Sequence, residues 1–479
     1  MVLILSDQHQ AGAMGNVGHS IVSTPHLDSL ALGGVSFTNA YCNNPLCVPS
    51  RSTLLTGKHS RSLGIYDNKH ILEANSITLP RLLGFAGYRT CLIGKMHFNG
   101  EQFHGFDQRP YGDLLGQAHQ PDPRRSQDKG VSGLGDNLLE HTGPSALPLA
   151  LTNTEICVSE AAKWLNAYVS RRVQNPFFLC VSFDKPHFPL TPPPGYFHKY
   201  EAMMEDWTGV EETIRDPVPF VREHLRVNDS GKYYGRSPEV HRRALAAYYG
   251  CIEWVDDAIG RLLDVVEYLG LRDRTAVIYS SDHGEMATSH GLWQKTVFFE
   301  ESVRVPLILS WPGRWASGAS PTELAGLVDL LPTISEACGV EVPGDVDGVS
   351  LLPLLEGSEG PVRDRLFAES VVLGSPDHAG CMIRVGRWKY CYYLDGAEEL
   401  YDLETDPHER ENLAAGPRKE DAVGRLPLAH LREEVKRWWE PEQQLERYGR
   451  TPMMRREKHY YPVSNQFLLE NGCIVDSGS

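Results

Sequence analysis

The chain of 479 residues has no run of apolar residues long enough to span a bilayer, which excludes a transmembrane helix. It has no excess of basic residues: Lys and Arg total 46 against 62 for Asp and Glu, a formal charge of -16. That balance argues against nucleic acid as a partner and against a polybasic membrane anchor, yet leaves room for a local basic pocket that takes a small anion. The opening MVLILSDQHQ lacks a basic n-region, a long apolar core and a small-residue cleavage site, so no signal peptide is expected. Cysteines are present without a framework. The ten (Cys42, Cys47, Cys91, Cys157, Cys180, Cys251, Cys338, Cys381, Cys391, Cys473) show no CxxC pair, the usage of reduced thiols in a cytoplasm rather than of disulfides or zinc. A periplasmic or secreted protein would require a leader already removed.

What is present is an α/β pattern: strand-type apolar runs alternating with longer segments of helical period, which predicts a mostly parallel sheet flanked by helices. The runs VLILSD, YRTCLIGKMH, PFFLCVSFDKPH and RTAVIYSSDHGE each end in polar residues. Open α/β sheets place their binding crevice at such strand ends. Helices are expected in TPHLDSLALGG, TEICVSEAAKWLNAYVSRR and RRALAAYYGCIEWVDDAIGRLLDVVEYLG, the last closed by Gly270. Residues 110–150, rich in Gly, Pro, Asp and Gln, read as a surface insertion, and 187–240 as similarly irregular; both could roof a pocket. After about residue 360 two β-rich runs surround LDGAEE, a hairpin signal. We therefore expect a catalytic domain over 1–360 and a smaller C-terminal subdomain over 361–479, with an antiparallel sheet and an extended tail without clear period from Trp438 onward.

The strand ends carry the chemistry. Asp7 and Gln8 follow one strand and Asp282 and His283 another, and two carboxylates, an amide oxygen and an imidazole suit a hard divalent cation better than zinc. A single strand-end Asp is ordinarily a turn or cap residue; two ends with matching donors are not so easily explained. Lys95 with His97 and Lys185 with His187 repeat a K-x-H spacing, and Lys295 and His290 would join them. Repelling cations gathered in one crevice need an anion to hold them. Cys47, in NPLCVPSRSTLLTG, has three readings: a buried structural thiol, a thiolate activated by Arg51 and a helix N-terminus, or a modified residue. The local stretch does not choose among them.

Taken together the motifs resemble the sulfatases of the alkaline phosphatase superfamily. Their C-x-P-S-R signature stands here as Cys47, Val48, Pro49, Ser50 and Arg51, followed by Thr56 and Gly57. The family's first-strand carboxylate pair is similar to Asp7 and Gln8, its G-K-x-H to Gly94, Lys95, Met96 and His97, and its D-[NH]-G to Asp282, His283 and Gly284. The resemblance runs in order over about residues 2–340, and GRWKYCYY with ELYDLETDPHERENLA resembles the family's small-domain hairpin. It implies hydrolysis of a sulfate monoester by Cα-formylglycine formed from Cys47. It also implies a divalent cation, calcium first and manganese or magnesium next, among Asp7, Gln8, Asp282, His283 and the modified Cys47. By the same carry-over Arg51 holds the metal-site carboxylates. Lys95, His187 and Lys295 bind sulfate oxygens, His187 (with Lys295 behind it) protonates the leaving alcohol, and His97 takes the diol proton. The implied partners are a small sulfate-ester substrate and a formylglycine-generating enzyme; the charged, aromatic C-terminal tail could pack on its own domain or meet a second copy of the chain.

Many arylsulfatases have Asp where Gln8 stands and Asn where His283 stands. The form here is more similar to choline sulfatases, iduronate-type sulfatases and phosphonate monoester hydrolases, so a phosphonate or phosphodiester hydrolase is the alternative activity. A choline substrate would ask for an ammonium cage, to which Phe103, Tyr111 and Trp293 could contribute.

Overall fold

The computed structural model describes residues 1–99, 102–112, 139, 142–207, 209, 216–229, 236–415, 427–451, 466–468 and 474–476. Its centre is a seven-stranded sheet. In chain order the strands are β1 (Val2–Asp7), β2 (Val35–Ser36), β3 (Asn39–Tyr41), β4 (Arg89–Gly94), β5 (Gln108–Tyr111), β6 (Phe177–Pro186), β7 (Val277–Ser281), β8 (Leu307–Ser310) and β9 (Leu324–Gly326). The sheet runs β2-β8-β7-β1-β6-β4-β5, while β3 and β9 form a separate parallel pair. β7, β1, β6, β4 and β5 are parallel, and only the β8 and β2 edge is antiparallel. The expected mostly parallel α/β sheet is therefore present.

Its strands read as unbroken apolar runs because both faces are covered. Along β1, Leu3 and Leu5 enter one core and Val2 and Ile4 the other. In β4, Leu92 parts in the same way from Cys91 and Ile93. The second core is closed by helices Pro25–Leu32, Asn153–Ser170 and Pro238–Tyr268, through Leu27, Ala161, Leu165, Val255 and Ile259. The first is closed by Cys47–Thr56 and Leu330–Ala337, through Leu54, Leu55, Leu330 and Ile334. Gly270 follows the long helix at φ 65°, the left-handed stop expected of it.

Four further strands, β10 (Arg365–Val372), β11 (Ser375–Val385), β12 (Trp388–Tyr393) and β13 (Glu398–Asp402), form an antiparallel meander. The LDGAEE stretch is the turn between β12 and β13, with Gly396 at φ 84°. Helix Leu428–Trp438 covers one face with Leu431 and Val435, and helix Pro441–Arg450 follows.

Two expectations change. Residues 187–240 contain helices Pro194–Met203 and Pro219–Asp229, whose pattern the proline-rich approach had broken up. Helix Leu428–Trp438 leads into the tail, and beyond Trp438 the tail is helical over 441–450, a helix that buries just Gln444 of its own residues and so shows no apolar period. Trp438 stacks on Phe367 at 4.2 Å, so this part of the tail packs on its own chain. Most of the 110–150 segment, the end of the tail and Cys473 lie outside the described residues. The nine described cysteines are free thiols, and among the described residues no helix is long and apolar enough to cross a membrane.

Candidate active site

The parallel strands β1, β4, β6 and β7 deliver their C-terminal ends to one crevice. Into it points the N-terminus of helix Cys47–Thr56, all ten residues of which are buried. Pro49 sits in the first turn, where its missing N–H leaves no helical bond unmade. Gly57 closes the helix at φ 65°, its N–H on the Thr53 carbonyl. Cys47 is thus the first helical residue, held at the mouth of a helix dipole that favours negative charge.

Arg51, one turn on and 1% exposed, ties the crevice together. Its Nη2 lies 2.9 Å from Asp7 Oδ2 and its Nε 2.8 Å from Asp282 Oδ2, while Nη1 donates to the Lys95 carbonyl and to Ser182 Oγ. Lys95 Nζ lies 2.7 Å from Asp7 Oδ2. Burial alone would raise Asp7, but Lys95, His187, Arg51 and His283 hold its carboxyl well below the usual range. Asp7 Oδ1 is buried and has no hydrogen-bond partner. Asp282 Oδ1 accepts the backbone N–H groups of Gln8 and His283. One donor atom each from Asp7, Cys47, Asp282 and His283 lies within 4.8 Å of the others. An orphaned carboxylate oxygen beside a second carboxylate and an imidazole fits a divalent cation, with oxygen donors favouring a hard one. The fit requires close approach of the turn after β7: a Cβ on Gly284 would stand 1.9 Å from the Glu301 carbonyl oxygen.

Around position 47 the imidazoles converge. Cys47 Sγ lies 3.3 Å from His283 Nε2, and buried His97 is held down by desolvation against an upward pull from Cys47. Burial and Asp7 oppose ionisation of this thiol, yet Lys295, Lys95 and His283 carry it well below its ordinary pKa. Position 47 is thus built to hold negative charge. His187 Nδ1 lies 2.6 Å from the Phe188 carbonyl and its Nε2 2.8 Å from Lys295 Nζ, so Nδ1 carries the proton and Nε2 accepts. Burial, then Lys295 and Lys95, push this imidazole down to about 4.

Asp7, Cys47, Arg51, Lys95, His97, His187, Asp282, His283 and Lys295 are thus brought together. Gln8 joins through its side chain, which bridges Lys295 and Glu285. Two expected cations do not join. Lys185 turns its ammonium onto the carbonyls of His187 and Pro189, because the proline-rich run beyond it has few N–H donors to satisfy them. His290 stacks on Phe299 at 4.0 Å. The three cage candidates each have a partner of their own: Arg109 covers Phe103, Tyr111 bonds Asn153, and buried Trp293 donates to His241.

Sequence reasoning missed Ser182, Tyr248 and Glu285. Tyr248, on the long helix, donates to the Gln8 carbonyl and accepts from the Gln10 N–H. Nothing in the sequence marks it. Glu285 stands in the same SSDHGE turn as the metal-ligand candidates, a signal that was present and unused.

The family model Sulfatase matches residues 1–340, and that of the N-sulphoglucosamine sulphohydrolase C-terminal region matches 288–436. The chain is 32% identical over 433 residues to a choline-sulfatase of Rhizobium meliloti, covering 87% of this chain and 83% of that protein. It is 30% identical over 463 residues to an ulvan-active sulfatase of Formosa agariphila, covering 91% and 82%. The crystal structure of a phosphonate monoester hydrolase of Agrobacterium radiobacter superposes with a TM-score of 0.73 at 24% identity, covering 99% of each chain, a likeness of fold.

Proposed function

The chain belongs to the sulfatase family and is a sulfuric ester hydrolase, and from that premise we propose that it cleaves organic sulfate monoesters with residue 47 as Cα-formylglycine beside a bound calcium ion. The observation that carries this reading is the setting of position 47, where Lys95, Lys295 and His283 draw negative charge to the first residue of a buried helix. The aldehyde would be made from Cys47 by a formylglycine-generating enzyme. Its hydrate supplies two hydroxyls on one carbon: one forms the bond to sulfur, and the other lets the sulfate ester collapse to aldehyde. A cation held by Asp7, Gln8, Asp282, His283 and residue 47 would offset the charge of the sulfate oxygens and acidify the attacking hydroxyl. Manganese or magnesium could compete, since Gln8 brings no charge where many arylsulfatases have Asp.

The chain's own groups do the rest. Lys95 and Lys295 bind sulfate oxygens and meet the charge that grows in the transition state. As the bond from sulfur to the alcohol oxygen breaks, that oxygen takes a proton from His187, which is neutral at rest and is charged only when sulfate offsets the two lysines beside it. His97 then takes the proton of the second hydroxyl, the carbon–oxygen bond to sulfate breaks, sulfate leaves, and water rehydrates the aldehyde. Arg51 keeps Asp7 and Asp282 in register throughout.

The substrate is a small alkyl sulfate or a sulfated sugar. Mass analysis of the peptide containing residue 47, in protein from its native host, should find the aldehyde; an unmodified thiol there overturns the mechanism. Turnover of aryl sulfate, phosphonate monoester and phosphodiester on one preparation should rank the sulfate first.

A further inference from the structure

Glu285 lies three residues beyond Asp282 and is completely buried. Its Oε1 accepts the N–H groups of Ala287 at 3.1 Å and Gln294 at 2.5 Å, which closes the turn leading to Lys295. Its Oε2 accepts from the side-chain amide of Gln8, whose oxygen, turned the other way, accepts from Lys295. The two ends of an amide are opposite in hydrogen-bonding sense and nearly equal in shape. Gln8 can therefore present oxygen to a cation only if a neighbour fixes which end is which. The Gln8 backbone has no freedom to compensate. Its φ is 69°, its N–H rests on Asp282 Oδ1 at 3.1 Å, and its carbonyl accepts from Tyr248 at 2.8 Å.

We propose that Glu285 is a positioning residue that sets the Gln8 amide with its oxygen toward Lys295 and the cation ligands, and that Gln8 and Glu285 form a matched pair. The inference rests on Gln8 being a cation ligand, as read above. A glutamine in place of Glu285 keeps its oxygen on the two backbone N–H groups, because those donors do not change. Its NH₂ then faces the NH₂ of Gln8. Either the two donors stay opposed, or the Gln8 amide turns and aims its NH₂ at Lys295 and the cation. A glutamate in place of Gln8, equal to it in length, fails differently beside Glu285, by pressing two buried carboxylates together. The two changes combined restore every pairing: the introduced glutamine donates to one oxygen of the introduced glutamate, and Lys295 donates to the other.

The test is calcium titration calorimetry on the full-length enzyme stripped with a chelator, with the melting temperature of the stripped protein recorded beside it. Glu285→Gln should weaken calcium binding by about tenfold or more, and Gln8→Glu should weaken it too. The double variant Gln8→Glu/Glu285→Gln should return to within about threefold of the parent. A purely structural role would instead lower the melting temperature in both Glu285→Gln proteins and give no recovery. Calcium affinity unchanged in Glu285→Gln overturns the proposal, as does a double variant no better than that single one. Should Glu285→Gln fail to fold, the double variant carries the test alone, and its failure to fold or to bind calcium is equally fatal. Asp282→Asn is the separate control: calcium binding that survives it removes the cation-site reading itself, whatever Glu285 does.

Discussion

Among the described residues, buried charge gathers in two contrasting places, the crevice and the seam where the antiparallel sheet meets the larger sheet's domain. In the second, the ammonium of fully buried Lys389 lies 3.1 Å from Glu300 and 2.7 Å from Glu409. Tyr41 donates to Glu300 at 3.1 Å, and Glu409 accepts the Glu300 N–H at 2.7 Å. Burial pushes the Glu409 carboxyl up against the pull of Lys389, and both of its oxygens are engaged, one by the ammonium and one by the Glu300 N–H. The crevice is less closed. Arg51 and Lys95 hold Asp7 and Asp282, Lys295 donates to the neutral side chains of Gln8 and His187, and an Asp7 oxygen is left without a hydrogen-bond partner. A cluster that closes on itself joins two parts of a fold; one with a lysine on neutral partners and an unused carboxylate oxygen has room for a cation and an anion from outside.

Cys47→Ala has the largest expected effect, because it removes the nucleophile and leaves both clusters folded. We expect kcat/KM to fall by about ten-thousandfold, measured on an aryl sulfate, with little change in melting temperature. Next come Arg51→Met and Lys389→Met, which each take a buried cation from between two acidic groups. Each should cost about 3–5 kcal/mol in denaturant unfolding. The folded fraction separates them: Arg51→Met should lose kcat/KM by about a thousandfold and Lys389→Met by less than about threefold. Equal losses would erase the distinction between the clusters. A smaller and more selective effect belongs to His187→Ala, which should slow alkyl sulfates by about a hundredfold and activated aryl sulfates far less. Equal losses on both classes would deny His187 its acid role.

The unequal legibility of the two clusters in the sequence has a physical reason. Crevice residues sit at strand ends or at a helix start, so a run such as VLILSD announces both the strand and the Asp7 it delivers. The sheet itself was legible because the parallel strands β1, β4, β6 and β7 are buried on both faces, whereas the partly exposed β5 carries no such run. Lys389, Glu300 and Glu409 carry no such marker; they meet through packing that brings Glu300 to Lys389 and Glu409, 89 and 109 residues further along the chain. Lys185 was misread because spacing says where a side chain starts and not which carbonyls will claim it. Tyr248 was missed because its contact to the Gln8 carbonyl spans 240 residues, which no local pattern encodes.

Glu369 offers the finest test of what a buried carboxyl does without a cation of its own. It lies on β10 and accepts the Arg61 N–H at 2.9 Å, while its Oε2 is buried without a hydrogen-bond partner. Burial raises its pKa from 4.5 to about 8, against a weaker pull downward from Arg61. The folded protein thus holds this proton more tightly than the unfolded chain does. Its contribution to stability is complete below about pH 4.5 and is lost as the pH rises through about 8. Glu369→Gln keeps the shape and removes the titration. The stability of the parent relative to this variant should therefore fall by about 1 kcal/mol or more between about pH 5 and about pH 9, read from denaturant midpoints. A difference that stays flat with pH would mean that Arg61 holds the carboxylate ionised, and that this third site is paired in the manner of Lys389 and Glu300.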